Sequence, residues 1–176
     1  MALIPKFHLI PESFPIKALE TVIMGQFVAY DAVANNGQVV RADGVVTANR
    51  VVGVSGDTKA TGESGMPFVG GSNAAGFQNR VSDGFDETKA SGQITVYHSG
   101  GTFASNQYVA GSYVVGDQLY VGTGANAGKL TKTDPGLAQV VAECKKVPGP
   151  YDSGVPGLDV NGSITMGDYI EFILKV

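Results

Sequence analysis

An all-β fold is what this sequence predicts: a small β-barrel or sandwich of two β-meander repeats, with an extended N-terminal arm. Three observations lead there. Short runs rich in Val, Ile, Tyr and Phe recur between Gly, Asn, Asp and Pro, the punctuation of strands and turns. No amphipathic stretch reaches three helical turns. Glycine makes up 25 of 176 residues, about twice its usual share of roughly 7%, and no triplet period accompanies it, which excludes collagen. Hydrophobic residues are 43% of the chain and charged residues 16%. A disordered chain shows the opposite balance, so this one folds, and its length suits one domain.

The expected parts are an arm over residues 1–21 and a single barrel-like domain over 22–176, interrupted by a Gly-rich insertion at 56–92. Strands are expected at Val22–Tyr30, Val39–Val46, Val51–Val54, Gln93–Tyr97, Gln118–Val121, Ala138–Lys145 and Tyr169–Val176. The last has the cleanest alternation. Ile170, Phe172, Leu174 and Val176 share one face, opposite Tyr169, Glu171, Ile173 and Lys175. A single helical turn is expected between Pro15 and Met24.

An internal repeat is legible from glycine spacing. Gly25 and Gly37 are 12 residues apart, as are Gly116 and Gly128. Gly25-Gln-Phe-Val-Ala-Tyr and Gly37-Gln-Val-Val match Gly116-Asp-Gln-Leu-Tyr-Val and Gly128-Lys-Leu-Thr. An apolar strand follows each, Val51-Val-Gly-Val54 and Val140-Val-Ala142. Each copy reads as strand, Gly turn, short strand, loop, strand. One meander does not bury its own apolar face, whereas two close on each other.

Most chemistry is disfavoured. A net charge of −4 with scattered Lys and Arg, densest at Lys145–Lys146, argues against nucleic acid, which needs clustered cations. No apolar run is long enough for a membrane span. Pro5, Pro11 and Pro15 break the apolar N-terminus, so no signal peptide is expected. Cys144 lies in an apolar run and reads as a small buried hydrophobe, in keeping with a reducing compartment. Gly122-Thr-Gly124-Ala-Asn-Ala-Gly128 resembles a phosphate-cradling loop, but a strand follows where a helix is required, so a hairpin turn is the better reading. His98 and Ser99 are neighbours, and neighbours on a strand point to opposite faces, so no Ser/His pair is expected there. His8 lies in the arm, and Gly62-Glu-Ser-Gly65 lacks the spacing of a nucleophile elbow. Asp83, Asp86 and Glu87 read as a solvated loop. Asn161-Gly-Ser163 reads as a hairpin turn before it reads as a glycosylation site. No catalytic residue, metal or cofactor is expected.

The arm is the most informative segment. Leu3, Ile4, Phe7, Leu9, Ile10, Phe14 and Ile16 are apolar, while the prolines are expected to forbid helix and ladder pairing. Burying seven such side chains yields roughly 10–20 kcal/mol at most, and fixing the backbone costs about 1–2 kcal/mol per residue. The two nearly cancel, so the arm is expected to need a ready-made groove. That groove is either on its own domain or on a neighbouring subunit or other protein.

The repeated motif, with Val51-Val-Gly-Val and Ala138-Gln-Val-Val beside it, resembles the small cement or decoration proteins of tailed-bacteriophage capsids. The resemblance covers about Val22–Val54 and Ser112–Val176. It implies an all-β body on the outer surface of the virion, made in the host cytoplasm. It also implies binding to the major capsid protein and self-association as a homotrimer or dimer. Leu3, Ile4, Pro5, Phe7, Leu9, Ile10, Phe14 and Ile16 would then be partner-binding residues, and no active site is carried over. A receptor- or glycan-binding module of a phage tail or head fibre is the alternative expectation. A nucleotide hydrolase on a β trimer, suggested faintly by Gly167-Asp-Tyr-Ile, has no phosphate loop or acid pair to support it.

Overall fold

The fold is that of a computed structural model, which describes residues 3–7, 10–17, 20–33, 37–44, 50–56, 59–60, 93–136, 138–149 and 168–176. The described strands are β1 Leu3–Phe7, β2 Ile10–Pro15, β3 Thr21–Val22, β4 Phe27–Tyr30, β5 Val39–Arg41, β6 Val51–Ser55 and β7 Lys59–Ala60 in the first part. They continue with β8 Gln93–His98, β9 Thr102–Ser105, β10 Gln118–Val121, β11 Leu130–Thr131, β12 Ala142–Gly149 and β13 Tyr169–Leu174. Of the Gly-rich stretch 56–92, Gly56 and the short β7 are described. The readings made at Gly62–Gly65, Asp83, Asp86, Glu87, Asn161–Ser163 and Gly167 lie outside the described residues, as do His8 and Leu9.

The chain is all-β, with two antiparallel sheets packed as a sandwich. One sheet runs β1-β9-β13-β12-β10-β11 and the other β2-β8-β6-β4-β5, while β3 and β7 pair by themselves. Neither sheet closes into a barrel. Instead a single parallel bridge reaches the last strand of each, Ile16 to Val39 and Tyr108 to Leu130.

The two meanders are one structure built twice, related by a shift of 91 residues, the separation of Gly25 from Gly116 and of Gly37 from Gly128. All four glycines have φ between +78° and +92°, a region that L side chains rarely adopt. In each copy the first hairpin strand lies between the second and the third, β5-β4-β6 in one sheet and β11-β10-β12 in the other. The hydrogen bonds repeat as well. Gln26 N–H donates to Ile23 O and Asp117 N–H to Val114 O. Asp31 N–H donates to Gln38 O and Gly122 N–H to Lys129 O. Ile23 N–H donates to Gln26 Oε1, and Val114 N–H to Asp117 Oδ2.

The arm departs from expectation. Its prolines do not prevent ladder pairing, because β1 pairs with β9 and β2 with β8, as the edge of each sheet. Leu3 faces Ser105, Pro5 faces Phe103, Ile10 faces His98 and Pro15 faces Gln93. Residues 3–7 thus pair with 102–105 in one sheet and residues 10–15 with 93–98 in the other, with a register irregularity between Pro5 and Phe7.

Backbone parity explains why the prolines fit. Gly56 N–H donates to Thr95 O, so the odd-numbered residues of β8 address β6 and the even-numbered ones address β2. Leu174 N–H donates to Gly101 O, so the odd residues of β9 address β13 by the same rule. Pro11, Pro15 and Pro5 pair with Tyr97, Gln93 and Phe103. Their ring nitrogens therefore point away from the ladder, where an edge strand tolerates proline. The helical turn expected between Pro15 and Met24 falls partly on residues 18 and 19, which lie outside the described residues. Pro15 ends a strand, Ile16 bridges Val39, and Glu20 N–H donates to Lys17 O.

Two apolar clusters hold the fold. The larger lies between the sheets and includes Phe27, Val54, Phe103, Leu119, Leu130, Ile170 and Phe172. Aromatic rings run through it in sequence. Tyr97 to Phe103 is 5.6 Å between centroids, Phe103 to Phe172 is 5.8 Å and Phe172 to Phe27 is 5.8 Å. The smaller cluster contains Phe14, Ile16, Val22, Val28, Val39, Ile94 and Val96. Strand β4 feeds both, with Phe27 and Ala29 in one and Val28 in the other, as period-2 alternation requires when both faces are covered.

Candidate functional site

The arm residues named from sequence divide between places. Leu3, Ile4, Pro5 and Phe7 lie on β1 and Ile10 on β2. Phe14 and Ile16 are buried in the smaller core of the protein itself. Phe14 meets Tyr30 edge-on at 6.0 Å and His98 at 6.4 Å. Pairing to β8 and β9 thus supplies a groove on the chain's own sheets, one of the two grooves considered for the arm.

The equivalent turns that open the two hairpins have opposite surroundings. At Ile23–Gln26, Gly25 N–H donates to Ser55 O at 2.8 Å, and the Ser105 hydroxyl of β9, in the other sheet, donates to Gly25 O at 3.4 Å. A Cβ on Gly25 would stand 2.5 Å from Ser105 Oγ. At Val114–Asp117, Gly116 N–H donates to Cys144 O at 2.8 Å, and nothing lies within 4 Å of the position a Cβ would take on Gly116. Val114 and Val115 are each 63% exposed. Sequence reasoning paired these turns through their glycines but missed the exposed valine pair, because exposure depends on which copy covers which.

Polar groups gather in two further places. The expectation about His98 and Ser99 is corrected, for His98 Nδ1 lies 3.0 Å from Ser99 Oγ. Ser99 has φ +64°, so the strand has ended and its side chain swings back over the imidazole. Glu12 Oε2 stands 3.0 Å from His98 Nε2, yet no hydrogen bond is directed to that buried nitrogen. The contact is therefore an ion pair available to the protonated ring. Glu12 is 57% exposed at its side chain, so water screens the pair.

An open cleft of about 720 Å³ lies where Lys17, Glu20, Asp31, Arg41 and Asp43 face Gly124. Its charges are largely used internally. Lys17 Nζ is 3.0 Å from the buried Asp31 Oδ2, and Arg41 N–H donates to Glu20 Oε1. Gly124 N–H, in the loop that resembles a phosphate cradle, donates instead to Asp43 Oδ2 at 3.4 Å. A carboxylate thus stands where an anion would have to sit. That loop connects β10 to β11 through a three-residue 3₁₀ turn, Gly124–Asn126, as the hairpin reading expects.

No protein-family model, no curated protein and no solved structure matches the chain. The case for function therefore rests on this chain's own residues. Among the described residues, no group of three His, Cys, Asp or Glu side chains is placed to hold a metal ion. No helix among them is long and apolar enough to cross a membrane. Cys144 is buried, and its thiol pKa is raised, first by desolvation and then by the nearby Asp117 carboxylate. That keeps it a thiol at neutral pH, in line with the packing role read from sequence.

Proposed function

We propose that the chain is a structural virion protein, a capsid decoration or cement protein of a tailed phage. It binds the outer surface of the head and stabilises contacts between major capsid protein subunits. The observation that supports this reading is the doubled Gly-punctuated hairpin, Gly25-Gln-Phe-Val…Gly37 and Gly116-Asp-Gln-Leu…Gly128, which carries the resemblance to that group. A rigid, duplicated β body also suits a protein that works by surface contact.

Such a protein stabilises the shell by mass action, since it binds the assembled lattice and not free subunits. Self-association as a homotrimer, or as a dimer, adds effective concentration by letting one particle touch several capsid subunits. On this reading Leu3, Ile4, Pro5, Phe7 and Ile10 of the N-terminal strands belong to one contact region.

The test is direct. Empty shells lacking the protein are mixed with purified chain, and the particles are imaged by electron microscopy. Added density at local symmetry axes, with a higher temperature of shell disruption, is the expected result. Shells that gain neither density nor stability at saturating protein overturn the proposal.

A further inference from the structure

We infer that Ser99 is an activated nucleophile, able to take an acyl group from a small activated ester. This activity goes beyond surface contact and does not depend on it. The site lies where β8 passes into β9. Ser99 is exposed, and among the described residues it is the one non-glycine with a positive φ, +64°. Such a conformation is costly for an L side chain, and strain of this kind clusters at functional sites. Here it turns the Ser99 hydroxyl back onto the preceding imidazole, with Oγ 3.0 Å from His98 Nδ1. That is hydrogen-bond reach between a nucleophile and its general base.

The far side of the ring is held by the arm. Nε2 is buried and lies 3.0 Å from Glu12 Oε2 of β2, and Phe14 meets the ring edge-on at 6.4 Å. With its proton on Nε2, the neutral ring leaves Nδ1 able to accept from Ser99. Ser99 Oγ then bonds to the acyl carbon as Nδ1 takes the hydroxyl proton. The bond from that carbon to the leaving oxygen breaks, and Nδ1 passes the proton to the departing group. Water attacks the Ser99 ester, its proton crosses Nδ1 to Oγ, and the carboxylic acid is released. The imidazolium formed in each half faces Glu12, a solvent-screened carboxylate, so Glu12 is a positioning residue with a smaller effect. Ser99 N–H is committed to Val176 O, but Gly100 N–H has no partner among the described residues. The N–H of the residue after the nucleophile is a donor that hydrolases use for the oxyanion. Nothing lies within 4 Å of the position a Cβ would take on Gly100, so a small acyl group reaches Ser99 over open backbone.

The experiment mixes the full chain with p-nitrophenyl acetate and, separately, with a fluorophosphonate that traps activated serines. Released nitrophenolate is followed, and the modified residue is located by peptide mass spectrometry. The expected result is an initial burst and a label on Ser99 in the folded protein, both absent in urea. Ser99→Ala and Ser99→Gly should abolish both, and glycine suits the positive φ, so the second variant keeps the turn. His98→Gln should slow acylation roughly 100-fold or more. Glu12→Gln should slow it by less than about tenfold and move the half-maximal rate to lower pH, because it removes the charge that favours the imidazolium. A purely structural role for Glu12 would leave that pH profile in place. Wild type that shows neither burst nor Ser99 label overturns the inference, as does turnover that survives unaltered in Ser99→Gly. Either result leaves the decoration reading standing.

Discussion

The two copies share a backbone and differ in what presses on it. Gly25 and Gly116 hold the same place in the repeat with nearly the same φ, +86° and +92°. One is wedged against Ser105 and the other faces open space. Gly37 and Gly128 show the reverse, for Gly37 is open while a Cβ on Gly128 would stand 2.9 Å from Arg41 Cγ. Gly128 also sits between strands of the first copy, accepting from Phe27 N–H and donating to Ala42 O. Each copy thus contributes one interior and one exterior glycine. The backbone conformation belongs to the repeat, and the packing belongs to the interface between copies. Duplication followed by docking makes identical turns unequal in energy.

The largest test of that interface is Phe172→Ala. Phe172 is fully buried and stacks between Phe103 of one sheet and Phe27 of the other. Truncation should cost about 3–5 kcal/mol, a large share of a net stability of about 5–15 kcal/mol. Because the ring joins both sheets, urea unfolding followed by fluorescence and by circular dichroism should shift together. A variant that unfolds in two separate steps would mean the copies are independent bodies in contact.

The glycines come next. Gly116→Ala should cost about 1–2 kcal/mol, the strain of a left-handed conformation alone. Gly25→Ala carries the same strain plus the clash with Ser105 Oγ, for a total of about 2–4 kcal/mol. Ser105 also accepts the Gln107 N–H at 3.0 Å, so Ser105→Ala is itself destabilising. The double variant Gly25→Ala/Ser105→Ala should therefore fall well short of additivity in denaturant titrations. Equal costs at Gly25 and Gly116 would remove the distinction between an interior and an exterior turn.

Much of this was legible in sequence, and the misses have identifiable causes. Glycine spacing revealed the repeat because a positive φ leaves a residue-type signature. Strand β10 was read at Gln118–Val121 and is found there, and in β13 Ile170, Phe172 and Leu174 are buried as their alternation requires. Strand β9 was missed because all four residues of Thr102-Phe-Ala-Ser105 are buried, which erases the alternation that marks a half-exposed strand. The ladder at the arm was missed because a proline tells nothing about which side of an edge strand its nitrogen faces. The Ser99–His98 contact depended on one left-handed residue that carries no glycine to announce it.

A smaller effect separates the copies by pH. Tyr113 occupies the place that Val22 holds in the first copy, and both are buried. The Tyr113 hydroxyl donates to Val109 O. Its pKa is pushed up to about 12, first by desolvation and then by Tyr108, Cys144 and Asp117. A phenol whose folded pKa exceeds its unfolded value near 10 contributes stability that is complete below about pH 10. That contribution is lost as pH rises toward about 12, on the order of 1–2 kcal/mol. Tyr113→Phe should flatten this alkaline decline in the unfolding free energy while lowering stability at pH 7 by about 1 kcal/mol, the worth of the lost hydrogen bond. A decline that persists unchanged in the variant would assign it to other groups.

The smallest effect on folding, and the most visible on assembly, is expected at the arm. Pro11 and Pro15 both turn their nitrogens outward, so between them Ser13 alone directs an N–H to the open edge of β2. Pro11→Val and Pro15→Val together restore two outward donors and raise strand propensity without touching the ladder to β8. Monomer stability should change by no more than about 0.5–1 kcal/mol. The edge, however, then offers a continuous row of donors and acceptors to another strand. Sedimentation velocity across a range of concentrations should show an association absent from the wild type at the same concentration. Pro5 guards β1, the edge of the other sheet, in the same way, so adding Pro5→Val should strengthen the association, whereas proline-free edges that associate no more than the wild type would mean that something other than their missing donors keeps other strands away.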